Sequence, residues 1–151
     1  MDYIDLLVEA DSCSLIIKEK PLRAYDGRIK GDRIAIRKDL PTVQKKCVLA
    51  EELGHYYTSS GDIIDQSNVS NRKQEYRARF WAYEKLVSLH DIIAAYEAGC
   101  RSAFEMSEYL DVTEEFFIEA MESYWSKYGI YKTVGNYAVY FDPIGILKMN
   151  K

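Results

Sequence analysis

The spacing of apolar residues predicts a short N-terminal helix followed by a small sheet. Residues 2–10 carry apolar side chains at helical spacing. The period then changes, and residues 14–22 and 27–40 show the alternation of apolar and polar positions that is typical of strands. Gly27 and Gly31 are expected at turns between these strands. The pattern therefore predicts about two or three strands after the first helix.

A long helix is predicted after the sheet, from Pro41 to Thr58. Residues 39–42 supply capping side chains and a proline suited to a first helical turn, and residues 59–61 supply a stop. The apolar stripe of this helix is expected to face the core, and it contains Val43, Cys47, Ala50, Leu53 and Tyr57.

Helical patterns continue through most of the remaining chain. The expected helices cover about 71–88, 90–100, 102–110 and 113–129. Their expected capping residues are Asn71 with Gln74, Ser102 with Glu105, and Thr113. The tail alternates around Gly135-Asn136 and predicts a final hairpin. Together these elements predict an α+β fold in a single domain over residues 1–151.

The composition agrees with a single soluble domain. A chain of 151 residues with 48% apolar residues can bury a core of ordinary size. No apolar run approaches the roughly 20 residues that cross a bilayer, and the N-terminus lacks the pattern of a secretion signal. Three widely spaced cysteines predict neither a disulfide framework nor a cysteine zinc cage. The expected location is therefore the cytoplasm, without membrane contact.

Charge is unevenly distributed along the chain, although the net charge is only -4. Residues 18–46 contain ten Lys or Arg and four acids, whereas residues 102–124 contain seven acids and no Lys or Arg. Residues 106–121 have the rhythm of a helix-turn-helix, but a helix that reads DNA needs cations to meet phosphates. This acidic segment is therefore interpreted as a packing or protein-docking unit, and direct nucleic-acid binding is not expected.

Candidate chemistry is concentrated in residues 51–55, Glu-Glu-Leu-Gly-His, which differ from the zinc-hydrolase motif H-E-x-x-H only at the first position. Residues four apart on a helix share a face, so Glu51 and His55 can point to one spot as two metal ligands. Glu52 lies beside them, where the glutamate of the motif takes a proton from the water that the metal activates. The motif therefore predicts Glu51 and His55 as ligands and Glu52 as the catalytic base.

A third ligand is expected from another helix, because a catalytic zinc usually has three protein ligands. Glu75 is the proposed donor, since Ala78 and Ala82 on the same stripe would let its helix pack closely against the first. Gly54 fits two explanations, close packing of helices or the approach of a substrate. The other possible donors are Cys47, expected to be a buried structural thiol; His90, expected to be a capping or surface residue; and Asp62 and Asp65, spare oxygen donors.

These segments resemble the ImmA/IrrE family of bacterial and phage metallopeptidases. The likeness rests on LAEELGHYYTSSGDI and on QEYRARFWAYEKL, in which Glu75 follows His55 by 20 residues. The resemblance implies a small zincin-like α+β domain, in which a short, mostly antiparallel sheet packs beside the active-site helix. A helical part at 91–129 and terminal strands at 130–151 would follow the sheet and metal-site helices of 1–90.

The resemblance also implies a function. By position, Glu51 replaces the first histidine ligand, while Glu52, His55 and Glu75 match the catalytic glutamate and the two other ligands. One divalent ion is expected, zinc or, because of the extra carboxylate, manganese. The expected substrate is a helix-turn-helix repressor of a phage or mobile element. A catalytically inactive protein that binds such a repressor is the alternative, and a DNA-binding regulator is a third hypothesis.

Overall fold

The structure is a computed structural model that describes residues 1–59 and 68–149. Within these residues the chain forms six helices and two three-stranded sheets, which confirms the predicted α+β class. Two compact units are present, Met1–Ala82 and Tyr83–Lys151. The assignment of the whole chain to a single domain stays a prediction.

The first unit contains a three-stranded sheet with helices packed against it. Its elements are α1 (Tyr3–Ser12), β1 (Ile16–Lys20), β2 (Gly27–Lys30), β3 (Arg33–Arg37), α2 (Thr42–Thr58) and α3 (Asn68–Leu86), and the boundary between the units falls within α3. The strand order is β1-β3-β2, with β1 parallel and β2 antiparallel to β3. Helix α2 packs against β2 and β3, and α1 packs against α2 and β1.

One face of this sheet supplies the core of the first unit. Ile34 and Ile36 of β3 are buried, as their alternation with polar residues predicts. Gly27 was expected at a turn, but it opens β2 instead. A Cβ atom at this position would lie 2.4 Å from Val48 Cγ1 of α2, so glycine allows the helix to approach the strand. Gly31 does occupy a turn, with a φ of 63°.

Helices α2 and α3 differ from the predictions at their N-termini. Pro41 is the N-cap of α2 and no side chain caps it, so the expected capping by residues 39–42 is wrong. Helix α3 begins three residues before Asn71. Asn71 therefore lies inside the helix, and the capping box expected from Asn71 and Gln74 is wrong. Tyr57 is 43% exposed and stacks on Trp81 instead of entering the core. The buried stripe of α2 includes Cys47, Ala50 and Leu53, as predicted.

The second unit contains three helices and a meander of three strands. Its elements are α4 (Leu89–Glu97), α5 (Ala103–Leu110), α6 (Glu114–Tyr128), β4 (Tyr131–Val134), β5 (Tyr137–Phe141) and β6 (Ile144–Lys148). Ser102 and Thr113 cap α5 and α6 as predicted, and Gly129 ends α6. The predicted hairpin turns at Gly135, and β6 extends it to an antiparallel sheet of order β4-β5-β6.

A hydrogen bond ties α6 to the chain that precedes α4. The Tyr124 hydroxyl is buried and donates to the carbonyl oxygen of Val87 at 2.7 Å. Burial raises the pKa of Tyr124, so the phenol remains a donor at neutral pH. In the described part of the chain, none of the helices is long and apolar enough to cross a bilayer.

Candidate functional site

The site predicted from the sequence lies where α2 approaches α3. A Cβ atom at Gly54 would lie 2.1 Å from the backbone oxygen of Ala78, closer than any real side chain is found. Glycine therefore allows the backbones of the two helices to approach each other at this point. Of the two explanations for Gly54, the structure supports close helix packing.

His55 and Glu75 face each other across this contact. The distance from His55 Nε2 to Glu75 Oε2 is 3.0 Å, well inside the roughly 6 Å that a shared metal would allow. The side chains are 22% and 43% exposed, so the pair is open to solvent on one side. The structure thus brings together two of the predicted ligands, from two different helices.

Arg79 fixes the carboxylate of Glu75 from the next turn of α3. Its Nε donates to Glu75 Oε1 at 3.0 Å, while the other carboxylate oxygen faces His55. Arg79 was not predicted from the sequence, although a Glu–Arg pair four residues apart is a recognisable signal on a helix. Arg79 leaves one oxygen of Glu75 directed at the candidate site.

Glu52 is half-buried between α2 and the start of β2. Its Cγ and Oε1 atoms lie within 3.3 and 3.4 Å of where a Cβ atom on Gly27 would be. Burial, and then the negative charges of Glu51 and Glu75, raise the pKa of Glu52 to about 7. A carboxyl group with a pKa near neutrality can both accept and release a proton under physiological conditions.

The geometry of His55 and Glu75 suits a shared metal ion. Two ligand atoms that bind one tetrahedral zinc at about 2.0–2.2 Å are separated by about 3.3–3.6 Å, and the observed 3.0 Å is within a few tenths of an ångström of this spacing. An imidazole nitrogen and a carboxylate oxygen are also ordinary zinc ligands. The pair therefore fits a divalent ion.

Glu51 lies one helical turn before His55, and its charge reaches Glu52. Within residues 1–59 and 68–149, no group of three His, Cys, Asp or Glu side chains is arranged to hold a metal ion. The complete set of Glu51, His55 and Glu75 therefore stays a prediction, as does the catalytic role of Glu52.

The other donors that the sequence offered have separate positions. Cys47 is buried in α2, as expected for a structural thiol, and none of the three cysteines, which all lie within the described residues, forms a disulfide. His90 is exposed in the first turn of α4. Asp62 and Asp65 lie outside the described residues.

Comparison with known families gives a match to this part of the chain. A model of the IrrE N-terminal-like domain, peptidase family M78, matches residues 13–122. The matched range includes β1 to β3 and the whole of α2 and α3, and with them each of the four predicted site residues. A comparison with curated proteins gives no match.

Proposed function

Because the chain belongs to the IrrE N-terminal-like family of peptidases, whose members typically depend on a metal ion, we propose that it is a metal-dependent endopeptidase. This membership confirms the resemblance to the ImmA/IrrE family. The observation that carries the proposal is the convergence of His55 and Glu75 at 3.0 Å beside Glu52.

The proposed metal ligands are His55 from α2, Glu75 from α3 and Glu51 from one turn earlier on α2. A divalent ion held there supplies a Lewis acid that activates water and polarises the carbonyl of a peptide bond. Arg79 is a positioning residue in this scheme, because it binds one oxygen of Glu75, while the other oxygen, which faces His55, would bind the ion. Zinc is the proposed ion, and manganese is the alternative that the carboxylate-rich set suggests.

Glu52 is the proposed catalytic base. Its carboxylate would take a proton from the attacking water, and the same carboxyl would later deliver a proton to the leaving amine. Burial keeps this carboxyl away from bulk solvent, and the raised pKa of about 7 makes both transfers accessible near neutral pH. A positioned group of this kind contributes typically 10²–10⁴ in rate.

The proposed substrate is a helix-turn-helix repressor of a phage or mobile element, cleaved in the bacterial cytoplasm. This substrate is the one that the resemblance to phage members of the family implies. The acidic character of residues 102–124 also supports a protein partner, since a DNA-binding repressor is commonly basic.

Metal binding is tested by elemental analysis of protein purified without a chelator. Wild-type protein should contain one divalent ion per chain, and His55→Ala and Glu75→Gln should lose most of it. His90→Ala is the matched control, because His90 is exposed in α4 and should keep the metal content of the wild type. Equal metal content in all four proteins would contradict the proposed ligands.

Catalysis is tested separately with Glu52→Gln, which keeps the size of the side chain and removes the base. This variant should retain the metal and the partner but lose repressor cleavage by at least a hundredfold. Glu84→Gln, an exposed substitution of the same type in α3 and outside the acidic segment, should cleave normally. If the wild type and Glu52→Gln regulate the repressor equally well, the protein acts by binding and not by cleavage.

A further inference from the structure

The face of the first sheet that points away from the core is strongly basic. Ile34 and Ile36 point inward, so the strand positions that alternate with them point outward. We define the basic face by its five exposed cations: Lys18, Lys20, Arg28, Lys30 and Arg33. These cations come from all three strands. That they share one face follows only from the pairing of the strands and could not be seen in the sequence.

No acidic residue occupies an outward position of the three strands. Arg37 also points outward, but it is half-buried and paired with Asp26 at 3.1 Å. Within the described part of the chain, none of the five cations of the basic face forms an ion pair. Arg28 instead donates to the Tyr25 hydroxyl at 2.8 Å, so the positive charges of the basic face are not neutralised by a direct ion pair.

The arrangement of the basic face is unfavourable for the sheet itself. Lys30 and Arg33 are direct cross-strand partners, and like charges in opposed positions destabilise a sheet. Lysine on the edge strands β1 and β2 would hinder aggregation, but that does not account for Arg33 on the central strand. The concentration of cations is better explained by a ligand that carries many negative charges.

The centre of the basic face is a shallow depression of ≈ 240 Å³. Ala35, whose side chain is short, and Ile16 contribute its floor, while the five cations surround it. The three strands extend about 17 Å along the chain direction and about 10 Å across. Duplex DNA presents one charge per about 1.7 Å of its axis, so about ten phosphate charges would fall within this length.

We propose that the basic face binds the phosphate backbone of nucleic acid. The guanidinium and ammonium groups would donate to phosphate oxygens, which fixes position without reading sequence. This proposal differs from the expectation that the chain does not bind nucleic acid. That expectation was drawn from the acidic residues of 102–124, which do not lie on this sheet. Binding here would hold the peptidase close to repressors that occupy DNA, a role that rests on the proposed function.

The affinity should be modest, because the whole chain has a net charge of -4. Dissociation constants near 10⁻⁵ M, within the range of non-specific DNA binding, are expected. If about four phosphates are contacted, the slope of log K against log salt is expected to be about −3.5. This slope distinguishes phosphate contacts from apolar association.

The test is fluorescence anisotropy of a labelled 20-base-pair duplex, titrated with protein at several salt concentrations. Lys30→Gln/Arg33→Gln should weaken binding roughly tenfold or more at low salt and reduce the slope by about 2. Lys132→Gln/Lys148→Gln removes the same charge from exposed positions of the second unit and should leave both quantities nearly unchanged. The first variant should unfold at the same temperature as wild type or higher, since repulsion is relieved.

Three results would overturn the proposal: no duplex binding at 25 mM salt, equal weakening by the two double variants, or equally tight binding of a poly-glutamate peptide. The last result would assign the basic face to an acidic protein segment. All titrations use the Glu52→Gln background, so a failure of the proposed peptidase activity does not affect the result.

Discussion

In the metal-free protein, Glu52→Gln should increase stability at alkaline pH. The pKa of Glu52 is about 7 in the folded chain, against an ordinary value of 4.5. Between these values the folded state binds the proton more tightly than the unfolded state. The free energy of unfolding therefore falls as the pH rises from about 4.5 to about 7, and the loss is complete above pH 7. Glutamine has no charge to lose and avoids this penalty.

The size of the effect follows from the pKa shift. A difference of about 2.5 units corresponds to at most about 3 kcal/mol, at about 1.4 kcal/mol per unit. Partial contact with solvent screens the neighbouring charges, so roughly 1–3 kcal/mol is expected. For a chain of this length, 1 kcal/mol corresponds to about 2–4 °C in melting temperature.

The assay is thermal unfolding followed by circular dichroism, with a chelator present, at pH 5 and pH 8. Glu52→Gln should melt several degrees above wild type at pH 8 and much closer to it at pH 5. Glu108→Gln, which is exposed, should follow wild type at both values. A Glu52→Gln protein that melts below wild type at pH 8, or by the same difference at both pH values, would refute the assignment of Glu52 as a buried, unfavourable charge.

Two further predictions concern packing, and both are measured as urea unfolding midpoints. Gly54→Ala should lower the free energy of unfolding by about 2 kcal/mol or more, because its Cβ would overlap the backbone oxygen of Ala78. The control is Gly145→Ala, which has nothing within 4 Å of its Cβ and should stay within about 0.5 kcal/mol of wild type. Equal midpoints for the two variants would contradict the close contact at Gly54. Tyr124→Phe should cost about 1–2 kcal/mol, since it leaves the Val87 carbonyl without its buried donor; an unchanged midpoint would show that this bond contributes nothing net.

Elements with strong local signals were predicted well from the sequence. Thr113 caps α6 and Gly129 ends it. Both could be predicted because the first helical turn needs a side-chain acceptor and the helix end often needs a residue with positive φ, and each need is met by a residue close in sequence. Gly27 illustrates the opposite case. Its place in β2 depends on how closely α2 packs above it, and that distance is a property of the tertiary structure.

The candidate site was likewise predictable from the sequence only in part. Helical geometry alone placed Glu51 and His55 one turn apart on α2. The contact between His55 and Glu75 joins two helices, and its prediction needed small residues on the second helix together with the family resemblance. The raised pKa of Glu52 lay beyond sequence reasoning, because it depends on burial and on two carboxylates whose positions follow from the fold.

The contact at Gly54 also restricts how this protein can be varied. A Cβ at position 54 would meet main-chain atoms of Ala78, and every residue type carries those atoms. A clash between two side chains can be relieved by a smaller residue at the second position. Here no substitution at position 78 can compensate for a larger residue at position 54, because the clash is with the main chain. A mutant library that samples both positions should recover glycine at 54 whatever is recovered at 78. Changes to the proposed metal ligands, for instance Glu51→His, involve side chains and do not introduce this clash between main chain and Cβ.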